Sequence, residues 1–218
     1  MLPRDDGSAA ATPERMLARA YRLRDPAEAR ALYADWAPTY DATMLAGLGY
    51  LTPARTAALL ARHLADRRAA ILDVGAGTGL AGAELARAGF AIVDALDHSP
   101  QMLAVAAARG IYRALIEADL NRPLALADAS YDALISTGTF THAHVDAACL
   151  DELFRVLKPG GLFACTVHRN VWEPAGFAER TAALARAGLM ETLASEPGPF
   201  FTASSEPDGH YLLWRRPG

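Results

Sequence analysis

Three glycines alternate with other residues in the segment Asp73-Val74-Gly75-Ala76-Gly77-Thr78-Gly79. The segment follows a short apolar run over residues 70–74 and precedes a helical pattern over residues 80–88. Because glycine has no Cβ atom, such a turn can adopt positive φ angles and bring its backbone N–H groups against a ligand. In a doubly wound sheet, the first strand-to-helix turn lies at the edge where ligands bind. The segment therefore predicts a ligand-binding turn.

A competing interpretation is the dinucleotide-binding fingerprint G-x-G-x-x-G, which residues 77–82 match literally. In that fingerprint the first glycine lies in the turn directly after the strand. Here Gly75 occupies that place, and Gly82 already falls within the predicted helix. The register disfavours an NAD-dependent oxidoreductase, which stays as an alternative.

The second predicted strand ends on a carboxylate. In Leu96-Asp97-His98-Ser99, Asp97 lies 22 residues after Gly75, the position at which related sheets hold a ribose. An ionised carboxylate can accept hydrogen bonds from both ribose hydroxyls, each worth roughly 1.5 to 3 kcal/mol. A helix-capping role is the alternative, although Ser99 can serve as that cap. Asp97 is therefore predicted to bind ribose.

Strand and helix patterns alternate from residue 70 onward, which implies right-handed crossovers and a mainly parallel sheet with helices on both faces. The last two strands are joined only by a loop, so they must pair antiparallel. The predicted fold is α/β, a doubly wound, mainly parallel seven-stranded sheet with an antiparallel C-terminal hairpin. The predicted strands are 70–74, 90–96, 111–117, 131–136, 162–167, 189–195 and 210–215, and the predicted helices between them are 80–88, 100–108, 146–157 and 174–187.

Helical patterns also occupy the front of the chain, at residues 13–24, at residues 26–36 and from Thr52 onward. We therefore expect one domain over residues 1–218, with residues 1–69 as a helical cap and residues 70–218 as the sheet core. The loop over residues 196–208 is long for a hairpin connection, which is typical of a functional segment. Cap and loop together are interpreted as a lid, and the alternative is that either one simply covers an edge of the sheet.

The composition is 52% apolar with a net charge of −4, which supports one packed core and gives no sign of a nucleic-acid-binding surface. No uncharged apolar run has the length of a membrane span, and the first residues lack the pattern of an export signal. Cys149 and Cys165 both fall within apolar patterns, as free thiols do in a reducing compartment. We expect a cytoplasmic monomer or homodimer that binds neither nucleic acid nor membrane.

These motifs together resemble the class I S-adenosylmethionine-dependent methyltransferases. Asp73 to Gly79 looks like the first motif of that family, Asp97 like its ribose-binding acid, and Ala118-Asp119-Leu120 like the third-strand motif that holds the adenine. Residues 131–136 resemble the fourth strand, and residues 152–161 are similar to the segment that leads into the fifth. The resemblance covers about residues 50 to 216, and it implies the same terminal hairpin.

The segment Tyr33-Ala34-Asp35-Trp36-Ala37-Pro38-Thr39-Tyr40-Asp41 also looks like the N-terminal cap of small-molecule members, in which a tyrosine closes over the methionine end of the cofactor. Gly138-Thr139-Phe140-Thr141-His142 is similar to the Williams-Beuren region methyltransferase-like proteins. The resemblance implies S-adenosyl-L-methionine as the cofactor and S-adenosyl-L-homocysteine as the product.

A set of residues is predicted to contact that cofactor. His98 and Met102 would form an apolar slot for the adenosine, and Asp73 would serve the amino group, through the loop or a water. Met102 in the plain core and Asp119 as a turn cap are the alternatives. The full predicted set is Tyr33, Tyr40, Asp73, Gly75, Ala76, Gly77, Gly79, Asp97, His98, Met102, Asp119, Leu120, Ser136 and Thr137.

Methyl transfer requires mainly alignment, and a base only where the acceptor must lose a proton. The candidate bases follow the fourth and fifth strands: His142 first, then His168, then His144, each with a surface or capping role as its alternative. His142 and His144 are too poorly supported by neighbouring ligand residues to predict a metal site, so none is expected.

The fourth strand is followed by Ser136-Thr137-Gly138-Thr139 rather than by Asn-Pro-Pro-Tyr or Asp-Pro-Pro-Tyr, which disfavours methylation of DNA bases or protein glutamine. The sequence therefore predicts methyl transfer to an O or N atom of a small molecule. A non-catalytic S-adenosylmethionine-binding partner protein is the second alternative. The acceptor itself cannot be read from the sequence.

Overall fold

The computed structural model describes residues 12–22, 26–141 and 145–218. Seven strands form one sheet in the order β3-β2-β1-β4-β5-β7-β6. The strand order reverses between β1 and β4, so a crevice opens beyond the carboxyl ends of these two strands. The strands are β1 Ala70–Val74, β2 Ile92–Asp97, β3 Ala114–Glu117, β4 Tyr131–Phe140, β5 Leu157–His168, β6 Glu191–Gly198 and β7 Gly209–Arg215.

The sheet confirms the predicted fold class. Strands β1 to β5 pair parallel with their neighbours, and β7 pairs antiparallel with both β5 and β6. Because β1 and β2 pair in register from Ala70 opposite Ile92 to Val74 opposite Leu96, their following turns reach the same edge. The glycine turn after β1 and Asp97 at the end of β2 therefore meet at this edge. The antiparallel pairing of β6 and β7 is the predicted C-terminal hairpin.

Helices cover the sheet. The described helices are α1 Pro13–Ala20, α2 Pro26–Trp36, a π-helix Ala42–Gly47, α3 Thr52–His63, α4 Leu80–Arg87, α5 Pro100–Ala108, α6 Cys149–Val156, α7 Arg169–Trp172 and α8 Phe177–Arg186. On one face, Ile71 and Ala133 pack with α3 and α4, and on the other face Leu72 and Leu134 pack with α6 and α8. This alternation follows the period of two along each strand. Among the described helices, none is long and apolar enough to cross a membrane.

The front segment forms its own small apolar cluster around Trp36, whose side chain is fully buried with Leu32 and Met44. Helix α3 was placed inside the predicted cap, but Ala57, Leu59 and Leu60 pack on the sheet, so the structural cap ends before α3. The cap is held to the segment after β6 by main-chain hydrogen bonds, from Leu51 N–H to Phe200 O (2.8 Å) and from Thr202 N–H to Gly49 O (3.0 Å).

Several boundaries differ from the predicted ones, and glycines explain two of them. Gly138 follows the predicted strand 131–136 but lies inside β4 at φ +75°, where the pairing with β5 shifts register. Gly160 lies between the predicted helix 146–157 and the predicted strand 162–167, but in the structure it is part of the irregular start of β5. A glycine within a strand often marks such an irregularity rather than the end of the strand. The predicted helix 174–187 corresponds to α8, whereas the short helix α7, which lies before it, and the π-helix were not predicted.

Candidate functional site

The glycine turn after β1 packs tightly against the end of β4. Gly75 has φ +66°, and a Cβ atom on it would lie 2.2 Å from Thr139 Oγ1. The N–H groups of Gly75 and Ala76 both donate to Leu96 O, at 2.8 and 3.0 Å. The Thr139 hydroxyl donates to Val74 O (3.2 Å). Only glycine fits this position, because both the backbone angle and the neighbouring side chain exclude a Cβ atom.

The space beside Gly77 is open, in contrast to the crowded space beside Gly75. It has φ +56°, and nothing lies within 4 Å of the place that its Cβ atom would occupy. Its N–H donates to Asp97 Oδ2 at 2.8 Å. This turn therefore leaves open space beside Gly77 and connects directly to the carboxylate that ends β2.

Asp97 is 6% exposed, and its second oxygen accepts the N–H of Ser99 at 2.8 Å. Each carboxylate oxygen accepts one backbone hydrogen bond, which leaves acceptor capacity on both, since an ionised carboxylate offers about four lone-pair sites. The His98 ring lies beside it, with Nδ1 3.4 Å from Asp97 Oδ1. Ser99 caps α5 through its hydroxyl (3.3 Å from Met102 N), so the capping role does not fall on Asp97.

A cavity of about 690 Å³ opens beside this carboxylate. Ten of the residues predicted to contact the cofactor line it: Tyr33, Tyr40, Gly75, Gly77, Asp97, His98, Met102, Asp119, Leu120 and Thr137. The remaining four, Asp73, Ala76, Gly79 and Ser136, are described by the structure but do not line the cavity.

Asp73 lies behind the turn rather than in the cavity. Its Oδ2 accepts the hydroxyl of Tyr112 (2.7 Å) and the N–H of Gly82 (3.1 Å), and the residue is 1% exposed. Burial raises the pKa of this carboxyl to about 7, although the two hydrogen bonds oppose the rise. Asp73 therefore supports the turn through α4 and Tyr112, and its role toward an amino group, through the loop or a water, stays a prediction.

The other three predicted residues that do not line the cavity, Ser136, Gly79 and Ala76, pack around the glycine turn. Ser136 donates to Val74 O at 2.8 Å and so joins β4 to β1. Gly79 has φ +88° and lies against Tyr112 and Arg109, while Ala76 packs with Ala95 and Leu103. They shape the turn without facing the cavity.

The end of the cavity nearest β3 contains polar groups that sequence reasoning missed. Arg30 on α2 and Glu117 at the end of β3 both line it, and Arg30 Nη2 is 2.7 Å from Glu117 Oε1. Glu117 pairs in register with Asp97, so its position at a strand end was an available signal. Asp119 accepts hydrogen bonds from the backbone and side chain of Asn121 (2.9 and 3.0 Å), and thus both holds a turn and lines the cavity.

Aromatic rings of the cap close the other side. The Trp36 ring lies 4.9 Å from that of Tyr40 and stacks with that of Tyr33 at 6.1 Å. Burial raises the pKa of Tyr33 to about 12, with the nearby Asp97 adding to the rise, and burial also raises that of Tyr40. Both phenols are therefore neutral near pH 7, and they offer rings and hydrogen-bonding hydroxyls to the cavity.

The candidate bases are only partly described. His142 and His144 lie outside the described residues. His168 is 5% exposed, ends β5, and packs edge-on against Tyr21 and Phe200. Its Nδ1 accepts the N–H of Asn170 (3.1 Å), so in the neutral ring the proton lies on Nε2. His168 does not line the cavity, and this geometry argues against its predicted role as a base.

Comparison with known proteins identifies the family. A family model described as "Methyltransferase domain" matches residues 72–165. The demethylmenaquinone methyltransferase of Parafrankia sp. strain EAN1pec is 34% identical over 221 aligned positions, covering 90% of this chain and 82% of that protein. The chain belongs to the class I S-adenosylmethionine-dependent methyltransferases. The Gly75–Gly79 turn and Asp97 both lie within the matched residues 72–165.

Other relatives match this methyltransferase over shorter stretches. Human Methyltransferase-like protein 27 is 36% identical over 154 residues, which is 69% of this chain and 62% of the human protein. The Rubrivivax gelatinosus ubiquinone/menaquinone biosynthesis C-methyltransferase UbiE is 42% identical over 96 residues, 44% of this chain and 38% of that one. The chain thus spans less than two thirds of the length of these two relatives.

Solved structures agree on the fold. The (4+2)-cyclase SpnF superposes with a TM-score of 0.66 at 20% identity, covering 89% of this chain and 97% of the cyclase. A cyclase on this methyltransferase fold illustrates that the fold alone does not set the reaction.

The family implies S-adenosylmethionine as the cofactor, and the residues present fit it. The open space at Gly77 is a cradle that a Cβ atom would fill. The Asp97 carboxylate has acceptor capacity left beside it. Within residues 12–22, 26–141 and 145–218, no three His, Cys, Asp or Glu side chains are grouped to hold a metal ion.

The steric account of the turn can be tested with two alanine variants. Gly75 and Gly110 share φ +66°, but only at Gly75 would the new Cβ atom collide, with Thr139, whereas at Gly110 nothing lies within 4 Å. We expect Gly110→Ala to lower the free energy of unfolding by about 1 to 2 kcal/mol from backbone strain alone, and Gly75→Ala to lower it by more. Urea titrations measure both values, and equal losses would contradict the proposed collision.

The buried Asp73 carboxyl predicts a pH dependence of stability. Its pKa is raised to about 7 in the folded chain from 3.8, so its contribution to stability is fully present below pH 3.8 and is lost as pH rises through 7. We expect the wild type to lose up to about 3 kcal/mol between pH 5 and pH 8 relative to Asp73→Asn, which cannot ionise. Urea unfolding of both proteins gives the difference, and parallel pH curves would contradict the raised pKa.

Proposed function

We propose that this protein transfers a methyl group from S-adenosylmethionine to an O or N atom of a small molecule. The observation that carries the proposal is the contact between the glycine turn and the end of β2: Gly77 N–H donates to Asp97 Oδ2 at the wall of the cavity. This arrangement supports binding of a nucleoside, because the carboxylate accepts hydroxyl donors and the adjoining backbone has no side chain in the way.

Each part of the cavity has a role in this proposal. Asp97 holds the ribose through both hydroxyls, and His98 and Met102 form the slot that holds the adenine, near Asp119 and Leu120. S-adenosylmethionine, when bound, supplies a methyl group on a positively charged sulfur. Tyr33 and Tyr40 present neutral aromatic rings to that end of the cavity, and such rings stabilise a cation by about 0.5 to 2 kcal/mol.

The chain's main contribution to the reaction is alignment. Orientation of two reactants in one site can lower a barrier by roughly 7 to 11 kcal/mol. The described residues that border the cavity at the end of β4, Thr137, Gly138, Thr139 and Val145, carry no charge, which supports a neutral acceptor in that region. The cavity has a volume of about 690 Å³, which supports a small acceptor bound beside the cofactor.

His142 is the proposed base where the acceptor must lose a proton. It directly follows Thr141 in the sequence. The names of the relatives support a small-molecule acceptor, since one is a demethylmenaquinone methyltransferase. They do not favour oxygen or nitrogen over carbon, since another is a C-methyltransferase. The proposal of an O or N acceptor therefore rests on the sequence resemblance and on the position of His142 in the sequence.

The NAD-dependent alternative conflicts with the surroundings of Gly82. In a dinucleotide fingerprint this third glycine would permit close packing of helix and strand beside a pyrophosphate. Here a Cβ atom on Gly82 would lie 2.2 Å from the Tyr112 hydroxyl, and its N–H donates to Asp73. The glycine therefore makes room for Tyr112. No described contact favours a non-catalytic partner protein, and we propose an enzyme that acts in the cytoplasm, as a monomer or homodimer, without nucleic acid or membrane.

Asp97→Ala tests the proposed function. Loss of two charge-assisted hydrogen bonds, roughly 1.5 to 3 kcal/mol each, should raise the dissociation constant of S-adenosylhomocysteine at least a hundredfold. Asp66→Ala is the matched control. Asp66 also accepts a backbone N–H, from Arg68 at 2.8 Å, but it is exposed. The affinity of Asp66→Ala for S-adenosylhomocysteine should equal that of the wild type. Isothermal titration calorimetry measures both, with thermal unfolding to verify the fold.

The same calorimeter separates the alternatives. We expect the wild type to bind S-adenosylhomocysteine and to give no heat with NADH. Binding of NADH without S-adenosylhomocysteine would overturn the proposal in favour of the oxidoreductase, and unchanged affinity in Asp97→Ala would refute the ribose assignment.

A further inference from the structure

A carboxylate of the cap connects three separate segments of the chain. The Thr78 hydroxyl donates to Asp41 Oδ1 at 2.5 Å. Arg109 Nη2 donates to Asp41 Oδ2, and Arg109 Nε donates to Thr78 O at 2.6 Å. Each residue of this set thus contacts both others, and we call the set the Asp41 bridge.

The three segments are those that shape the cavity. Asp41 directly follows Tyr40, which lines the cavity from the cap. Thr78 stands between Gly77 and Gly79 in the turn, and Arg109 is the C-cap residue of α5. Arg109 also covers Gly79, since a Cβ atom there would lie 3.0 Å from Arg109 Cδ. The bridge therefore connects the segment that carries Tyr40 to the turn that carries Gly77.

The surroundings of the bridge strengthen it relative to an ordinary surface ion pair. Thr78 is 1% exposed, and the side chains of Arg109 and Asp41 are 24% and 37% exposed. The Arg30–Glu117 pair, the other ion pair between cap and sheet among the described residues, is about half exposed at both ends. Exposed ion pairs contribute little to stability because solvent screens them, whereas hydrogen bonds to charged groups contribute more where burial limits that screening.

We propose that Asp41 and Arg109 are positioning residues that hold the cap, and Tyr40 with it, over the cofactor end of the cavity. The proposal deepens the proposed function, on which it rests for the identity of the ligand. None of the three bridge residues lines the cavity, so they act on the ligand only through Tyr40 and the glycine turn. Loss of the bridge should free the part of the cap around Tyr40 and Asp41. The end of the cap at Gly49 and Leu51 stays hydrogen-bonded to the segment after β6.

The test uses Asp41→Asn and Arg109→Lys, which keep the size or the charge of the side chain and lose the paired geometry. Asp151→Asn is the control, because it removes an ion pair between α6 and α8, with Arg180, away from the cavity. We expect the dissociation constant of S-adenosylhomocysteine, measured by calorimetry, to rise about tenfold in both bridge variants and to stay unchanged in the control.

Hydrogen–deuterium exchange without ligand supplies an independent measurement. The bridge variants should exchange faster than the wild type at backbone amides of residues 40–48, with unchanged exchange in β1 and β4. Wild-type exchange at 40–48 in the variants would overturn the proposal, and so would acceleration throughout the sheet, which is the sign of a merely structural role.

The two proposals fail in different ways. If the wild type does not bind S-adenosylhomocysteine, the proposed function fails and exchange at residues 40–48 still decides the role of the bridge. If the wild type binds and the bridge variants bind equally well, the positioning role is wrong while the proposed function stands.

Discussion

The tight packing of the Gly75–Gly79 turn is the constraint on which the rest of the site depends. Thr139, Tyr112 and Arg109 occupy the space that Cβ atoms at Gly75, Gly82 and Gly79 would need. The same packing leaves Gly77 open and aims its N–H at Asp97. Side chains thus fill one side of the turn and leave the other side open. The Gly77 N–H and the Asp97 carboxylate meet on the open side, at the wall of the cavity.

The sequence was sufficient for this turn because its signals are local. Glycine spacing, strand length and the place of Asp97 all concern neighbours in the chain, and the β1–β2 register then brings them together. The terminal hairpin was predicted on equally local grounds, from the absence of a crossover helix. The position of Asp73 was also open to local reasoning, because Asp73 shares the strand face of Ile71, which packs under the helices rather than toward a ligand.

The missed residues are those that meet across long stretches of sequence. Asp41 and Arg109 are 68 residues apart, and Arg30 and Glu117 are 87 apart. No spacing rule connects such pairs, since their contact depends on how the cap docks on the sheet. The boundaries of β4 and β5 were missed for a different reason, because a glycine such as Gly138 predicts a strand end and a strand irregularity equally well.

A crystal structure with S-adenosylhomocysteine bound tests the central claim most directly. The account predicts both ribose hydroxyls within hydrogen-bonding distance of the Asp97 carboxylate, with the backbone of Gly77 against the ligand and the Tyr40 ring over its amino-acid end. A ligand whose ribose lies away from Asp97, or one seated outside the cavity beside Gly77, would contradict it.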